Sequence, residues 1–370
     1  MKILHINSYY YTNKIHENFL KKLDKSGIEN TCLVPVEKKN INNSFQVGSK
    51  SNVEVEKIFK KIDKFLIVSK MLKIKKIVEK KVKAEKFDII HAHTLFTNGY
   101  GAFKIKQQYD IDYIVAVRNT DINVFFKKVI FLRKLGINIL KNAKQVIFIS
   151  ESLKIKFFEK YVQQKDFSEL EQKSIVIPNG LDDFWIENQK VEKEYFHDDK
   201  INLLFVGALD DNKDILGLAE SIKSFKLDKE IVLRVVGSGK NQLKIEELSK
   251  KYPKKIIYLG RINEKEKLKE VFDKTDIFVM VSKYETLGMV YLEALSQAIP
   301  VIYTKGEAID RMIPNGLAIG VEYKDYSKIL ESIIKIAEKI NILDFEMKFK
   351  KEDFKWERLI LKYDYFNNKL

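Results

Sequence analysis

The sequence is poor in cysteine, glycine, proline and acidic residues. Its 370 residues include a single cysteine, Cys32, which excludes a disulfide framework and a zinc site built on cysteines. Only 15 glycines and 5 prolines are present, so glycines that directly follow predicted strands become informative. Asp and Glu total 52 against 67 Lys and Arg, a net charge of +15. This excludes an acidic protein and admits nucleic acid, a membrane surface or a phosphate-bearing ligand as a partner.

Long hydrophobic runs are also missing. The best stretch, Val129–Leu140, is interrupted by Arg133, Lys134 and Asn138, and no segment approaches the roughly 18 apolar residues of a membrane span. The opening MKILHINSYY predicts a β-strand rather than a signal peptide. We therefore expect a cytoplasmic protein.

Short β-branched runs alternate with longer amphipathic stretches along the chain. The predicted strands are Lys2–Ile6, Thr31–Val34, Phe87–His93, Tyr113–Val117, Val146–Ser150, Ser174–Pro178, Ile201–Gly207, Ile231–Gly237, Ile256–Gly260, Ile277–Val281 and Pro300–Tyr303. The predicted helices of the first half are Lys14–Ser26, Ile58–Glu85, Gly99–Tyr109, Val124–Asn142 and Glu151–Tyr161. Nearly continuous apolar strands separated by helices indicate parallel sheets covered on both faces.

The alternating pattern breaks once, at the PNGLDDFW segment of Pro178–Trp185. This predicts an α/β protein of two doubly wound, Rossmann-like domains, 1–183 and 184–354, which face each other across a cleft. A last helix is predicted over Lys351–Asn367, and the sequence leaves open whether it caps the second domain or crosses back, as residues 355–370, to the first. Ligands of such sheets bind beyond the carboxyl ends of the strands.

The candidate functional residues of the second domain directly follow its predicted strands. GALDDNKD follows one strand, and the motif that begins at Glu285 and continues through Gly288 to Glu293 follows another. A helix that begins near Gly288 offers unpaired N–H groups and partial positive charge, which favour phosphate. Two carboxylates would flank that phosphate and accept hydrogen bonds from sugar hydroxyls, while Lys213 would neutralise its charge.

This ordered set of motifs resembles the family 4 retaining glycosyltransferases (glycosyl transferases group 1), which have the GT-B fold. MKILHIN resembles the first strand of that family, and PNGLDDFW its interdomain segment. VGALDDNKD, VVGSG, YLGRI and the Glu285–Glu293 block resemble consecutive strand ends of its C-terminal domain. DFKWERLILKY resembles the final helix, which in this fold returns to the N-terminal domain.

The resemblance implies a role for each matching residue. Lys213 would stabilise the diphosphate leaving group and Glu285 would contact the donor sugar, which makes these two the expected catalytic residues. The remaining expected donor-binding residues are Gly207, Arg261, Ile262, Thr286, Leu287, Gly288, Met289 and Glu293. Among them, Glu293 would hold the ribose, and Arg261 and Ile262 would lie beside the base. The resemblance implies a nucleotide-diphosphate sugar donor, expected to be a UDP-sugar, with neither a metal nor a cofactor.

The chain departs from the family pattern at several positions. Ala208 replaces the usual arginine after Gly207, so that Arg118 or Arg261 would have to supply the missing cation. The glycine pair of the first loop is replaced by TNK, Thr12–Lys14, and RNTD stands where a histidine is usual. The expected acceptor-side residues are Asn13, His93, Arg118, Asn119 and Asp121.

Function is thus expected to be hexosyl transfer, with retention, to a saccharide or lipid-linked acceptor in cell-surface polysaccharide biosynthesis. A sugar-nucleotide epimerase of GT-B type is the alternative, and a basic nucleic-acid-binding protein is disfavoured because the lysines are dispersed. His91 and His93 share one strand face, but no further metal ligands are evident in the sequence. A cluster of aromatic and basic residues suggests peripheral docking on an anionic membrane: Phe125, Phe126, Lys127, Lys128, Phe131 and Arg133.

Overall fold

The computed structural model describes residues 1–12, 14–37, 44–64, 66–188, 200–225, 229–314, 316–339 and 349–365. The chain divides into two compact units. The first contains Met1–Ile149, Leu153–Gly180 and the segment that begins at Trp356, and the second contains Ser150–Ser152 and Leu181–Lys355. Within the described ranges, no helix is long and apolar enough to span a membrane.

The first unit is built on an eight-stranded sheet in the order β3-β4-β2-β1-β5-β6-β7-β8. Its strands are β1 Lys2–Ile6, β2 Glu29–Glu37, β3 Phe45–Gln46, β4 Ser51–Phe59, β5 Ile89–Ala92, β6 Tyr113–Val117, β7 Gln145–Phe148 and β8 Ser174–Val176. Only the β3–β4 pair among these is antiparallel. The inner strands are buried along almost their whole length because helices cover both faces of the sheet.

The helices that begin in this half of the chain are α1 Ile15–Lys25, α2 Ile67–Ala84, α3 Gly99–Tyr109, α4 Arg133–Asn142, α5 Glu151–Tyr161 and α6 Gln164–Lys173. Two predicted helices were wrong in extent. The Ile58–Glu85 prediction includes the end of strand β4 and a 3-10 turn, Lys61–Lys64, before α2 begins. The Val124–Asn142 prediction is divided into a π-helical turn, Asp121–Phe126, a 3-10 turn, Ile130–Leu132, and α4.

The second unit is a parallel sheet in the order β11-β10-β9-β12-β13-β14. Its strands are β9 Lys200–Val206, β10 Glu230–Val236, β11 Ile256–Tyr258, β12 Ile277–Met280, β13 Val301–Thr304 and β14 Ala318–Val321. Its helices are α7 Asp183–Glu187, α8 Ile215–Ser224, α9 Gln242–Lys251, α10 Lys265–Asp273, α11 Met289–Ser296 and α12 Tyr326–Lys339. Together, the two sheets confirm the predicted α/β class, and the sequence analysis had missed strands β3, β4 and β14.

The segment that begins at Trp356 packs into the first unit, although the long helix predicted over Lys351–Asn367 was wrong. A 3-10 turn, Lys351–Phe354, is followed by a helix of five residues, α13 Trp356–Ile360. Trp356 and Tyr363 place their rings 5.4 and 5.3 Å from that of Phe19 on α1. Lys22 on α1 also forms an ion pair with Glu357 at 2.5 Å. The last described residues thus complete the core on one face of the first sheet.

Candidate functional site

Each sheet has a point where the order of its strands reverses. In the second sheet this switch lies between β9 and β12, which are neighbours although two strands intervene in sequence. Their connections leave in opposite directions, which opens a crevice beyond their carboxyl ends where α/β proteins bind ligands. The loop that begins at Gly207 follows β9, and the loop that contains Glu285 follows β12. Both predicted catalytic residues therefore lie beside this switch point.

Lys213 and Glu285 form a direct ion pair across the switch point, between the Lys213 Nζ and the Glu285 Oε2. Both side chains are largely shielded from solvent, with exposed fractions of 16% and 17%. The other oxygen of Glu285, Oε1, accepts a hydrogen bond of 2.9 Å from the backbone N–H of Thr286. The structure thus brings together a cation and a carboxylate that lie 72 residues apart in the chain.

Two residues that the sequence analysis missed hold the Glu285 loop in place. Asn212 donates from Nδ2 to the carbonyl oxygen of Tyr284 at 3.0 Å and accepts from the Tyr284 N–H at 3.2 Å. Glu307 accepts a hydrogen bond of 3.0 Å from the backbone N–H of Glu285. Both are polar residues that closely follow a strand, which is the signal that could have identified them.

The amino end of α11 lies directly after this loop. Gly288 precedes the helix with φ +67°, and a Cβ there would lie 2.4 Å from the Tyr291 ring. Glycine is therefore required at this turn. Within the described chain, the backbone N–H groups of Leu287, Gly288 and Met289 have no hydrogen-bond partner. These free donors, at the positive end of the helix, form a seat for an anionic group.

Glu293 lies within α11, in surroundings that favour its protonated form. Burial, followed by the neighbouring carboxylate of Asp182, raises the pKa of Glu293 to about 7. The charge of Lys265 and a hydrogen bond from the Trp185 side chain oppose this increase. Lys265 is itself held by Asp182 at 2.5 Å. Glu293 can therefore gain or lose a proton near neutral pH.

The other predicted donor residues lie on the exits of the neighbouring strands. Gly207 follows β9, and a Cβ on Gly237, which follows β10, would lie only 1.9 Å from the Gly207 carbonyl oxygen. The N–H of Gly237 also donates to the carbonyl of Gly260, which follows β11, at 2.8 Å. Next to Gly260, Arg261 is exposed and Ile262 is partly buried. Three strand exits are therefore held in contact at one edge of the sheet.

The predicted acceptor-side residues belong to the first unit. Arg118 follows β6 directly, and its Nε donates to the carbonyl oxygen of His93 at 3.1 Å. Asn119 accepts a hydrogen bond from the Asn123 side chain. Asp121 is 1% exposed, and its carboxylate accepts hydrogen bonds from the backbone N–H groups of Leu95, Phe96 and Arg118. Asn13 lies outside the described residues.

His93 is part of a buried histidine cluster formed by His5, His91 and His93. Its Nε2 lies 3.2 Å from the Nδ1 of His5, whose Nε2 contacts Asn30 Oδ1 at 3.1 Å. His91 Nδ1 contacts the hydroxyl of Tyr365. Ring nitrogens of the three histidines lie within 4.8 Å of one another, so this group could hold a metal. Sequence analysis missed His5, the third candidate ligand, because it lies on another strand.

The histidine cluster should make the first unit sensitive to acid. Burial lowers the pKa of His5 to about 4 and that of the adjoining His16 to about 3, and it lowers the pKa values of His91 and His93 well below 6.5. Below pH 6.5 the unfolded chain therefore binds protons that the folded unit does not. We therefore expect the free energy of unfolding to decrease steadily from pH 6.5 to pH 4.

Tryptophan fluorescence can measure this effect, because the chain has two tryptophans, one in each unit. A Trp185→Phe variant leaves Trp356 as the reporter of the first unit, and its urea midpoint should fall steadily between pH 6.5 and pH 4. The same titration above pH 7 is the control and should be flat with respect to these histidines. An unchanged midpoint at pH 5 would show that the cluster is not neutral when folded.

The structure separates the suggested membrane-docking residues into two groups. Phe131 is 73% exposed and the adjoining Ile130 is 66% exposed, with exposed Lys127 and Lys128 next to them. Phe126 is wholly buried, so its assignment to the docking surface was wrong. Arg133 is partly exposed, its Nε donates to the Phe126 carbonyl at 2.7 Å, and its guanidinium lies over the Tyr161 ring. Phe125 is partly buried.

Comparison with known families decides the identity of the chain. Residues 17–183 match the model described as Glycosyltransferase Family 4, and residues 187–354 match Glycosyl transferases group 1. The chain belongs to the GT4-type glycosyltransferases. The recognition made from the sequence is confirmed, and so is the general activity of glycosyl transfer.

Curated relatives are also glycosyltransferases. An uncharacterized glycosyltransferase of Methanocaldococcus jannaschii is 25% identical over 86% of this chain and 85% of its own length. Another from the same organism is 28% identical over 59% of this chain and 57% of its own. The capsular polysaccharide biosynthesis glycosyltransferase CapM of Staphylococcus aureus is 28% identical over 52% of both chains. In the last two, the match therefore spans little more than half of the relative.

Solved structures of glycosyltransferases have the same fold. Sucrose-phosphate synthase from Thermosynechococcus elongatus superimposes with a TM-score of 0.73 at 16% identity, over 98% of this chain and 97% of the other. HepE of Anabaena, in complex with UDP-glucose, superimposes with a TM-score of 0.64 at 15% identity, over the full length of both chains. At these identities, the likeness establishes the GT-B fold.

Proposed function

We propose that this glycosyltransferase transfers a hexose, with retention of anomeric configuration, from a UDP-sugar to a saccharide or lipid-linked acceptor. The transfer would serve cell-surface polysaccharide biosynthesis at the cytoplasmic side of the membrane and require no metal or cofactor. In this reaction the bond between the sugar carbon and the diphosphate oxygen breaks, the oxygen of an acceptor hydroxyl forms the new glycosidic bond, and the proton of that hydroxyl leaves with the departing UDP. Charge then develops on the departing diphosphate, which is where fixed cations and N–H groups accelerate the reaction.

The observation that carries the proposal is the Lys213–Glu285 pair beside the free N–H groups at the amino end of α11. These groups together provide a cation, a carboxylate and an anion seat at one switch point. Such a set suits a negatively charged diphosphate that is attached to a hydroxyl-rich sugar. The UDP-glucose complex of HepE supports the donor class, and the capsular polysaccharide biosynthesis role of CapM supports the pathway class.

A thermal-shift screen tests the donor. Ligands that bind only the folded state raise its melting temperature, by an amount that depends on concentration and affinity. We expect UDP-sugars to raise the melting temperature without added metal and in the presence of EDTA, and free hexoses to leave it unchanged. Lack of any shift with the common UDP-, GDP- and ADP-sugars at millimolar concentration would contradict a nucleotide-sugar donor.

Donor binding should depend on pH through Glu293. If its carboxylate accepts hydrogen bonds from the ribose hydroxyls, affinity for UDP-glucose should increase as the pH rises through about 7, where Glu293 loses its proton. Replacement Glu293→Gln removes one acceptor oxygen and the charge. We expect about a tenfold increase in Kd at pH 8, in line with the loss of one charged hydrogen bond.

Calorimetric titration at pH 6, 7 and 8 measures both effects. UDP-glucose suits the experiment because both of its phosphates are esterified and do not change charge in this range. Glu246→Gln is the matched control: its carboxylate accepts a hydrogen bond from the Gln242 side chain within α9 of the same unit. That variant should keep the pH dependence, whereas Glu293→Gln should lose it. Equal pH profiles in the wild type and Glu293→Gln would exclude a ribose contact by Glu293.

We also propose peripheral contact with an anionic membrane through Ile130 and Phe131, with Lys127 and Lys128 beside them. Exposed apolar side chains can insert among the lipid chains of a membrane, and lysines beside them are attracted to its anionic headgroups. Vesicles that contain phosphatidylglycerol should sediment the wild type at low salt, and a Phe131→Asp variant should sediment less. Equal sedimentation by neutral phosphatidylcholine vesicles, or none by either, would contradict this contact.

A further inference from the structure

The Arg118 guanidinium forms a hydrogen bond through its Nε, whereas its two Nη atoms form none with the described residues. Its Nε donates to the His93 carbonyl oxygen at 3.1 Å, which fixes the plane of the guanidinium just beyond the carboxyl end of β6. The residue is partly exposed. Within the described chain, neither Nη atom takes part in a hydrogen bond or an ion pair. A guanidinium carries five N–H donors, so four of them point away from the bond to His93.

Within the described chain, no carboxylate forms a direct ion pair with Arg118. The carboxylate that acts on its charge is that of Asp121, and both Asp121 oxygens are used by backbone N–H groups. Burial, the largest cause, and the charge of Arg118 lower the pKa values of His16, His91 and His93, so that these three rings are uncharged at neutral pH. Tyr363, from the C-terminal segment, is the remaining titratable neighbour and is uncharged at neutral pH. The positive charge of Arg118 therefore lies near the Asp121 carboxylate, but no carboxylate among the described residues forms an ion pair with its Nη atoms.

Such an arginine is suited to an oxyanion. Its two outer nitrogens form a planar fork that matches two oxygens of a phosphate or a carboxylate, and low surrounding polarity strengthens the contact. The hydroxyls of a neutral sugar carry no charge, so they would not need a guanidinium as their partner. The donor residues Lys213, Glu285 and Glu293 all belong to the second unit, whereas Arg118 belongs to the first.

We propose that Arg118 is a specificity-determining residue that binds an anionic group, phosphate or carboxylate, on the acceptor. The inference rests on the proposed function, since it assumes transfer to an acceptor. It narrows the acceptor class from any saccharide to a sugar, lipid or polymer end that carries a negative charge near the reacting hydroxyl.

Chemical protection in the unaltered protein provides the first test. Phenylglyoxal modifies accessible arginines, and peptide mass spectrometry gives the modification rate at each position. We expect inorganic phosphate or glucuronate to slow modification of Arg118 at least fivefold, and glucose to have no effect. Arg133 is the internal control, since its Nε also donates to a carbonyl but its guanidinium lies 5.3 Å from the Tyr161 ring centre. The stronger of the two protecting anions identifies the acceptor's charged group.

Two variants provide the second test. Arg118→Gln should raise the Kd for the protecting anion at least tenfold, and Arg118→Lys, which keeps the charge without the fork, should raise it less. Arg133→Gln should bind the anion as the wild type does. UDP-glucose affinity should be unchanged in all three variants. Circular dichroism confirms that each variant is folded.

The remaining outcomes overturn either the acceptor site or the proposed transfer. Equal modification of Arg118 with and without anions, or unchanged anion affinity in Arg118→Gln, overturns the acceptor site. Loss of UDP-glucose binding in Arg118→Gln would overturn it too, because the arginine would then serve the donor diphosphate. If no nucleotide sugar binds the wild type although phosphate protects Arg118, the proposed transfer fails while an anion site at Arg118 stands.

Discussion

Replacement of Lys213 by alanine should reduce kcat for sugar transfer by about 10²- to 10³-fold, the range seen when a group that stabilises developing charge is removed. Lys213 is the cation beside the anion seat at α11, and its side chain is only 16% exposed, so water screens it weakly. Without Lys213, the N–H groups of α11 would stabilise the negative charge of the departing diphosphate with one cation fewer. The measurement is the initial rate of UDP release at saturating donor and acceptor.

Lys240 offers a matched control for this variant. It lies on the loop after β10 and forms an ion pair with Asp211, but its side chain is 60% exposed. Lys240→Ala should therefore have nearly wild-type kcat, because an exposed pair contributes little. If Lys213→Ala turns over as fast as Lys240→Ala, the diphosphate must be neutralised by another cation, and the assignment of Lys213 is wrong.

Replacement of Glu285 by glutamine should separate transfer from nucleotide binding. We expect kcat to fall about 100-fold, because the side chain can no longer pair with Lys213 or accept two hydrogen bonds from the donor sugar. Affinity for UDP should be unchanged or a few-fold tighter, since Lys213 no longer has a competing carboxylate. Transfer rates and a calorimetric UDP titration on the same sample measure both effects.

The double variant Lys213→Ala/Glu285→Gln tests whether the two residues act as a unit. Residues in direct contact are expected to be strongly non-additive, so the double variant should be little slower than the slower single variant. Asp211→Asn is the control for loss of a carboxylate and should leave both kcat and UDP affinity close to wild type. Weakened UDP binding in Glu285→Gln, or a normal rate, would contradict the role of Glu285.

Much of the fold could be predicted because local patterns determine it. Strand β6 and helices α3 and α5 have the predicted bounds, since their apolar spacing is regular and turn residues flank them. Strand β4 was missed because its Asn, Glu and Lys residues interrupt the apolar run, and its last two residues, Ile58 and Phe59, were assigned to a predicted helix. The C-terminal helix ends early at Ile360 because Trp356, Tyr363 and Tyr365 find partners in the core, which tertiary packing decides.

The candidate site could be predicted as a set of residue types, but its contacts could not. Lys213 and Glu285 were both expected from their positions after strands, yet their direct pairing depends on the order of β9 and β12 in the sheet. The same holds for His5, which joins His91 because β1 lies next to β5. The raised pKa of Glu293 results from burial, and the spacing of residues along the sequence does not predict how deeply a side chain is buried.

The placement of the final segment affects the order in which the two units fold during synthesis. The sheet of the first unit is complete once Val176 has been made, but Trp356, Leu359 and Tyr365, which finish its core, are translated some 180 residues later. The second unit, enclosed between these two stretches, has its whole sheet available earlier. On the ribosome, the half that is translated first therefore reaches its final packing last, and its unfinished aromatic surface must avoid aggregation in the meantime.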